Sequence, residues 1–321
     1  MNISVLGAGR WGSFISWYLS RSELNNVYLY GNSDSKAYVE LRDTGKNAYV
    51  GLSKAITLTC DLEKAVDHAE VIVISISSQN LRSFIKRVLA CGLGDKKIVL
   101  CMKGVECETG LRLSQVVSQE GVNPDNIAVW VGPGHIQEFV EEKPNCMVID
   151  SQNPQLVKYL VDNFASELIR FYYGNDLIGS EIGAAAKNVM GIAAGMLDGA
   201  GLTTLKGPLM ARGAREVARL IKALGGNELS AYGLCHLGDY ETTLFSAFSN
   251  NRRYGEAFVK GEQFSKLSEG VMTAKALKLL GDKNGVDLPI TNAIYNTLFL
   301  GMDWKESLLA LFARNRRNEF N

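Results

Sequence analysis

A glycine-rich turn, Gly7-Ala8-Gly9-Arg10-Trp11-Gly12, separates a short apolar run at residues 3 to 6 from an amphipathic segment that contains Phe14 and Ile15. A second β-branched run follows at residues 27 to 30. Strand, G-x-G-x-x-G turn, helix and strand in this order open a Rossmann-type dinucleotide-binding fold. The start of the chain therefore predicts a parallel sheet that binds a dinucleotide at its first helix.

The residues of this turn have separate predicted roles. Gly7 permits the tight turn, Gly9 lets the backbone approach a pyrophosphate, and Gly12 lets helix and strand pack closely. The helix N-terminus then faces the phosphates. We predict that Arg10 and Trp11, which lie between the glycines, also contact the cofactor.

The pattern of apolar residues divides the chain into two parts. Up to residue 174, β-branched runs alternate with amphipathic segments, which is typical of a doubly wound, mostly parallel sheet. The predicted strands are 3–6, 27–30, 71–74, 98–102, 127–131, 146–149 and 168–173. Beyond it, helical periodicity predicts helices at 178–199, 207–224, 228–235, 268–284 and 289–300. We predict an α/β fold, with a Rossmann domain at 1–174, an all-α substrate domain at 175–321 and a cleft between them.

Composition argues against several classes of partner. The 34 Lys and Arg residues balance 34 Asp and Glu residues, so no general positive charge attracts nucleic acid. The apolar runs are shorter than the roughly 20 residues of a membrane span, and the N-terminus does not resemble a secretory signal. The six cysteines form no CxxC pair and no metal-ligand spacing. We expect a cytoplasmic protein with a small-molecule partner and no metal site.

The end of the second predicted strand bears on the choice between NAD and NADP. An Asp or Glu at that point would bond the ribose 2'-hydroxyl and select NAD. The sequence reads Gly31-Asn32-Ser33-Asp34-Ser35-Lys36, with the acid only further on. Because Asn32, Ser33 and Lys36 can accommodate a 2'-phosphate, the sequence favours NADP over NAD, with Asn32 as a cofactor contact.

A single lysine, Lys187, lies in the otherwise uncharged segment GAAAKNVMGI at residues 183–192. On a helix its neighbours three and four residues away include Gly183, Ala184 and Gly191. One interpretation is a tightly packed helix whose lysine extends to solvent. The other is an amine held among apolar groups, where lost hydration lowers its pKa and suits it to proton transfer near neutral pH.

Several short motifs resemble those of the soluble, nicotinamide-dependent glycerol-3-phosphate dehydrogenase family. They are GAGRWG, MKGVE, GAAAKN with GMLDG, MARGAREVARL, HLGD, SNNRRYG, SEGVMTA and DLPI, in the family's order from residue 7 to residue 290. The resemblance implies a Rossmann domain followed by a helical domain, as the apolar pattern also predicts. It further implies a homodimer that reduces dihydroxyacetone phosphate reversibly to sn-glycerol 3-phosphate with NADPH or NADH and so supplies glycerophospholipid synthesis.

The resemblance implies roles for four charged residues. Lys187 matches the family's catalytic lysine, which exchanges a proton with the substrate oxygen as hydride is transferred. Lys103, in MKG, matches a second lysine between cofactor and substrate, and Asp239, in HLGD, matches an acid near the catalytic lysine. Glu269, in SEGV, matches an acid at the nicotinamide end. Without the family, Lys103 and Glu269 also fit ordinary surface charges, and Asp239 fits a turn or helix cap.

Two segments are expected around the substrate. In Ser249-Asn250-Asn251-Arg252-Arg253, the resemblance assigns Ser249, Asn251 and Arg252 to the substrate and Asn250 to the cofactor; an exposed basic turn is the alternative. The family has an arginine in place of Asn250, so a bidentate guanidinium contact is missing. The resemblance also assigns Gly132 and Gly134 to the substrate.

The family has Ser or Thr in place of Gly134, so a hydroxyl is missing there, and the ring of His135 offers a donor instead. The departures at Asn250 and Gly134 keep open a dehydrogenase of the same fold that acts on a different keto or hydroxy substrate. A dinucleotide-binding regulator without turnover is a further alternative, which would be expected to lose Lys187 or Asp239. Both are present.

Overall fold

The computed structural model of the chain describes residues 1–316, 318 and 319. In these residues the sheet has eight strands: β1 (Asn2–Leu6), β2 (Asn26–Tyr30), β3 (Ile56–Thr59), β4 (Val71–Ile74), β5 (Lys97–Leu100), β6 (Ile127–Val131), β7 (Asn145–Asp150) and β8 (Ile169–Tyr173). Their order is β3-β2-β1-β4-β5-β6-β7-β8. Strands β1 to β6 are parallel, β7 pairs antiparallel with β6, and β8 is parallel to β7. The predicted doubly wound, mostly parallel sheet is confirmed.

Helices cover the sheet and then continue as a helical part. Those before β8 are α1 (Arg10–Leu19), α2 (Lys36–Thr44), α3 (Leu62–His68), α4 (Leu81–Ala90), α5 (Leu113–Gln119), α6 (Ile136–Val140) and α7 (Pro154–Phe164). Those after it are α8 (Leu177–Gly199), α9 (Lys206–Ala223), α10 (Asn250–Lys260), α11 (Glu269–Asn284), α12 (Pro289–Phe299) and α13 (Trp304–Phe312). Within the described part of the chain, no helix is long and apolar enough to cross a membrane. The predicted helical second half is confirmed.

The alternation of side chains along the strands gives the sheet two apolar faces. Val71 and Val73 of β4 pack in one core with α1 and α7, whereas Ile72 and Ile74 pack in another with α4 and α5. A third core lies among the helices that follow β8. Its centre is α8, which is buried from Gly179 to Leu197. Both faces of the sheet are therefore covered by helices, as parallel strands require.

The structure differs from the sequence prediction at several elements. Strand β3 was missed because it is a four-residue edge strand with only one buried residue, Ile56. Residues 228–235 were wrongly predicted as helical throughout; Glu228–Tyr232 is a 3-10 turn that ends before Gly233. Helix α10 was missed because its segment is strongly polar. Helix α13 was missed because its segment ends in apolar residues that are exposed. The predicted domain change at 174–175 lies between β8 and α8, and residues 317, 320 and 321 of the predicted second domain lie outside the described residues.

Helix α8 is joined to the sheet part by a buried carboxylate. Glu181 accepts hydrogen bonds from the backbone N–H of Ser114, at 2.8 Å, and from its hydroxyl, at 2.6 Å. It also pairs with Arg112, which precedes α5. Since both oxygens of Glu181 have partners, its burial in the contact between the two parts is compensated.

The glycine-rich turn depends on two close backbone contacts. Gly7 has φ +124°, and a Cβ on it would lie 2.1 Å from the carbonyl oxygen of Ser75. A Cβ on Gly12 would lie 1.7 Å from the carbonyl oxygen of Gly7, whereas one on Gly9 would meet nothing within 4 Å. Gly7 and Gly12 are thus required for packing, and Gly9 leaves open space at the N-terminus of α1.

We predict that Gly12→Ala lowers the free energy of unfolding by about 3 kcal/mol, because its methyl group has to displace backbone. Gly9→Ala is the matched control within the same turn and is expected to cost less than about 1 kcal/mol. Urea denaturation of the two variants and the wild type measures both changes. Equal losses for the two variants would contradict the packing role given to Gly12.

Candidate active site

Lys187 lies in the middle of α8 and does not extend to solvent. Its side chain is 8% exposed. The ammonium Nζ is 2.5 Å from Oδ2 of Asp239 and donates a hydrogen bond to Oγ1 of Thr243 at 2.9 Å. Of the two interpretations of this lysine, the structure supports the buried amine.

The small residues around Lys187 are explained by the close approach of other segments to α8. A Cβ on Gly191 would lie 2.9 Å from the side chain of Thr243, and one on Gly195 would lie 1.8 Å from the carbonyl oxygen of Arg252. Larger side chains would push α10 and the π-helical turn Glu241–Phe245 away from α8. These glycines therefore allow Thr243 and α10 to lie close against α8.

Asp239 links Lys187 to Lys103. The carboxylate is fully buried, and its Oδ2 accepts a hydrogen bond from Lys103 Nζ at 2.8 Å. Lys103 follows β5 and also donates to the carbonyl oxygen of Gly132, which follows β6, at 2.6 Å. The hydroxyl of Thr242 donates to the other carboxylate oxygen. The structure thus brings together Lys187, Asp239, Lys103 and Gly132, four of the predicted site residues.

Burial sets the protonation of this cluster. It lowers the pKa of the Lys187 amine to about 7, an effect that the nearby charge of Lys103 adds to and that of Asp239 opposes. For Asp239, burial by itself raises the pKa, but the two ammonium groups outweigh it and the pKa lies below its usual value. Two cations share one anion, so the cluster attracts an anionic group. The amine of Lys187 can gain or lose a proton near neutral pH.

The glycine-rich turn lies beside these lysines. The ring of Trp11, on the first turn of α1, is 5.8 Å from Lys103 Nζ. The guanidinium of Arg10 lies over the ring of Tyr49 at 5.8 Å. In the described residues no side chain caps the N-terminus of α1, and Gly9 leaves room in front of it. The uncapped N–H groups and the open space fit the pyrophosphate of a dinucleotide.

Asn32 and Asn250, two further predicted cofactor residues, lie on other elements. Asn32 is exposed beyond the end of β2, where its carbonyl oxygen accepts a hydrogen bond from the Ser35 backbone at the start of α2. Asn250 is the first residue of α10 and donates to the carbonyl oxygen of Leu267 at 3.2 Å. No hydrogen bond joins the two residues in the described part of the chain, so a cofactor would have to join them.

Glu269, at the start of α11, reaches across to the sheet. It accepts a hydrogen bond from the Ser78 backbone, beyond β4, at 3.1 Å. Burial raises the pKa of this carboxyl group. Glu269 is therefore part of the contact between the helical part and the sheet rather than a surface charge.

A chain of amide side chains connects α10 to Lys103. Asn251 donates to the side-chain oxygen of Asn188 at 2.9 Å, and Asn188 donates to the carbonyl oxygen of Lys103 at 2.9 Å. Asn251 accepts from the Gly270 backbone as well. Ser249 caps α10 by accepting from a backbone N–H of its first turn. Asn251 is thus connected to the lysine cluster, while Ser249 serves the helix.

Arg252 is the predicted substrate residue that lies apart from the cluster. Its Nε donates to Oδ2 of Asp198 at 2.7 Å, and the buried Lys206 pairs with the same oxygen at 2.6 Å. Asp198 is about 16 Å along α8 from Lys187, or about three helical turns. A direct role for this guanidinium at the lysine cluster would require it to leave Asp198.

Gly134 and His135 lie between β6 and α6. Gly134 has φ +148°, and a Cβ on it would lie 2.4 Å from the ring of Phe139. The absence of a hydroxyl at this position therefore accompanies an aromatic ring packed into its space. His135 packs against Phe248, and its Nε2 is buried without a hydrogen-bond partner in the described part of the chain. Burial lowers the pKa of His135.

Thr243, Asn188 and the Asp198–Lys206 pair contribute to this region without having been predicted. Asn188 follows Lys187 directly in GAAAKN, so its position beside the lysine was a usable signal. Thr243 and Lys206 have no distinctive local pattern. Among the residues that the structure describes, no group of three or more His, Cys, Asp or Glu side chains could hold a metal ion.

The glycine-rich turn of the doubly wound sheet lies beside a buried lysine–aspartate cluster on a helical part. This is the architecture of a two-domain nicotinamide-dependent dehydrogenase. Sequence comparison specifies the class further. The chain belongs to the NAD-dependent glycerol-3-phosphate dehydrogenase family, whose N-terminal and C-terminal models match residues 2–157 and 176–309. The resemblance seen in the short motifs is thereby confirmed.

Individual relatives agree along the whole chain. Glycerol-3-phosphate dehydrogenase (NAD(P)+) of Moorella thermoacetica is 36% identical over 330 residues, covering 99% of this chain and 97% of the relative. The enzyme of the same name from Thermoanaerobacter sp. is 32% identical, covering 100% and 99%. The crystal structure of glycerol-3-phosphate dehydrogenase from Coxiella burnetii is 27% identical with a TM-score of 0.90, covering 97% of this chain and 98% of the other.

We predict that Asp239→Asn lowers the pKa of Lys187 below its value of about 7, because the carboxylate charge that favours the ammonium form is removed. The pH dependence of Lys187 acetylation by acetic anhydride, followed by mass spectrometry, measures that pKa. Asp198→Asn is the matched control. It removes a carboxylate from α8, about three helical turns from Lys187. If the pKa of Lys187 is the same in Asp239→Asn as in the wild type, the predicted coupling between the Asp239 charge and the Lys187 amine is contradicted.

Proposed function

We propose that this protein catalyses the reversible reduction of dihydroxyacetone phosphate to sn-glycerol 3-phosphate with NADPH or NADH. The observation that carries the proposal is the buried cluster of Lys187, Asp239 and Lys103 beside the glycine-rich turn. Membership of the glycerol-3-phosphate dehydrogenase family supports it. In this proposal residues 1–174 hold the cofactor and residues 175–321 supply most of the substrate site.

The nicotinamide dinucleotide supplies or accepts the hydride when bound. Lys187 donates the proton from Nζ to the substrate carbonyl oxygen and recovers it in the reverse reaction. An amine with a pKa of about 7 suits both directions. Asp239 and Thr243 hold the amine in place, since their oxygens are 2.5 and 2.9 Å from Nζ.

Lys103 stabilises the negative charge that develops on the substrate oxygen. It has little freedom to move, because Asp239 and the Gly132 carbonyl oxygen accept two of its hydrogens. A cation fixed in a largely buried site stabilises an alkoxide more than a solvated lysine would. Ser249, Asn251, Gly132 and Gly134 remain the proposed contacts of the substrate, together with Arg252 if its guanidinium is released from Asp198.

For the cofactor, the proposal keeps Gly7, Gly9, Arg10, Trp11 and Gly12 at the pyrophosphate. Asn32 and Asn250 are proposed at the adenosine phosphate side and Glu269 at the nicotinamide side. The preference for NADP stays a prediction from the residues after β2. The cytoplasmic location and the supply of glycerophospholipid synthesis also stay predictions.

We propose in addition that the protein forms a homodimer through its helical part. Five apolar side chains are exposed on or beside α12 and α13: Phe299, Leu300, Met302, Leu309 and Phe312, with exposed fractions between 38% and 66%. Such a concentration of exposed apolar residues is typical of an interaction surface.

We expect wild-type protein to oxidise NADPH or NADH when dihydroxyacetone phosphate is added, and Lys187→Met to lower kcat by about 100-fold or more because the proton donor is lost. Absorbance at the nicotinamide band, measured separately with each cofactor, follows the reaction. Lys278→Met is the matched control, since this lysine lies on α11, where it pairs with Asp282 and lies over the ring of Tyr295. No wild-type turnover with either cofactor would overturn the proposed reaction, and full activity of Lys187→Met would overturn the role of the lysine.

We expect the double variant Leu300→Lys and Leu309→Lys to sediment as a monomer at concentrations where the wild type is a dimer, because two charges would enter an apolar interface. Leu24→Lys changes an apolar residue that is 83% exposed in the sheet part and serves as control. Sedimentation velocity over a range of concentrations makes the comparison. A wild type that sediments as a monomer throughout would contradict the proposed dimer.

A further inference from the structure

Between α8 and α9 lies a pair of buried side chains that the proposed reaction does not use. His236 and Tyr240 have no accessible surface. Their rings meet edge to face, with centroids 4.8 Å apart. Tyr240 Oη is 2.6 Å from His236 Nε2, and His236 Nδ1 is 2.9 Å from the carbonyl oxygen of Gly183.

The chemistry of these two contacts determines the tautomer of the histidine. The carbonyl oxygen of Gly183 can only accept, so Nδ1 of His236 carries a hydrogen. Burial lowers the pKa of His236 to about 4, which leaves the ring neutral at pH 7. Nε2 is therefore an acceptor, and the hydroxyl of Tyr240 donates to it. The hydroxyl of Tyr240, the ring of His236 and the carbonyl oxygen of Gly183 thus form one directed hydrogen-bond chain.

Two glycines make room for the pair. A Cβ on Gly183 would lie 3.1 Å from the Cβ of His236, and one on Gly213 of α9 would lie 3.0 Å from the hydroxyl of Tyr240. The pair therefore fills a space between α8, α9 and the turn that contains Asp239.

The hydrogen bond to Gly183 acts on the turn of α8 that carries Lys187. In an α-helix the backbone N–H of residue 187 donates to the carbonyl oxygen of residue 183. His236 thus binds the same carbonyl group as the lysine's own peptide. At its other end, the carbonyl oxygen of His236 accepts from the Asp239 backbone N–H at 3.0 Å, and Tyr240 directly precedes the π-helical turn that carries Thr243.

We infer that His236 and Tyr240 are positioning residues that hold Asp239 and Thr243 against Lys187, and thereby maintain the protonation of the amine. The charged groups that face the pair are Lys187 on α8, Asp239 in the adjoining turn and Glu216 on α9. A neutral pair adds no charge beside the lysine, so the pKa of the amine is set by burial and by the neighbouring charges of Asp239 and Lys103, and a change in the distance of the Asp239 carboxylate shifts it. The consequence for catalysis rests on the proposed function, whereas the effect on the amine does not.

Tyr240→Phe is the decisive variant, because it removes one hydroxyl, keeps the ring and leaves Nε2 without its donor. We expect kcat to fall about 10-fold, since a slight misplacement of Asp239 is enough to disturb proton transfer, with little change in KM. As Asp239 moves away, the pKa of Lys187 falls. The pH at which the rate of Lys187 acetylation reaches half of its maximum is therefore expected to decrease. His236→Asn, which can still donate to Gly183, is expected to retain more activity than His236→Leu.

Tyr18→Phe is the matched control. Tyr18 is a buried tyrosine of the sheet part whose hydroxyl donates to the carbonyl oxygen of Phe164 at 2.5 Å. Its loss is expected to lower stability to a similar extent while leaving kcat and the titration of Lys187 unmoved.

Two outcomes are distinguishable. If Tyr240→Phe leaves both the Lys187 titration and kcat as in the control, the inference is overturned while the proposed function stands. If the wild type shows no turnover, the proposed reaction fails, and acetylation of Lys187 still decides whether the pair controls the amine. Tyr240→Phe conserves shape, so the test does not depend on the His236 variants folding.

Discussion

The buried carboxylate of Asp239, shared between Lys103 and Lys187, is the interaction on which the arrangement of this protein depends. Lys103 extends from the end of a sheet strand and Lys187 from the middle of α8, so the carboxylate connects the two parts of the chain at the place where chemistry is proposed. A buried anion is stable only with such partners. In turn, two neighbouring ammonium groups would repel each other without the anion between them.

Helix α8 has the composition that this arrangement requires. It is surrounded by other elements along most of its length, and its glycines admit backbone and side chains at distances where a Cβ would collide. Gly183 admits His236, Gly191 admits Thr243, and Gly195 admits the backbone of Arg252. A helix with larger side chains would bury more apolar surface, but it would hold Asp239 and Thr243 too far from Lys187 for hydrogen bonds. Close packing and a depressed amine pKa therefore have the same origin, since both follow from enclosing the lysine.

The departures from the family at Asn250 and Gly134 have different structural settings. Asn250 donates to the loop before α11, which a neutral amide does well and which needs no charge. At Gly134 the backbone has a positive φ and the ring of Phe139 occupies the space of a Cβ. The first departure removes a cation from the predicted cofactor side, whereas the second is coupled to the packing of α6. The two positions thus affect the proposed site independently.

The sequence by itself determined the sheet, the glycine-rich turn and the helical second half, because those depend on local periodicity and on backbone conformations that few residues other than glycine adopt. It also singled out Lys187, as a charge among small residues, and the family resemblance singled out Lys103 and Asp239. Only the tertiary structure decided that one carboxylate serves both lysines, that Arg252 pairs with Asp198, and that Thr243 and the His236–Tyr240 pair surround the amine. The contacts that these residues make with Lys103 and α8 join positions about 50 to 140 apart in the chain. No local pattern encodes such pairs, because their distances are set by how closely α8 packs against the segments that fold over it.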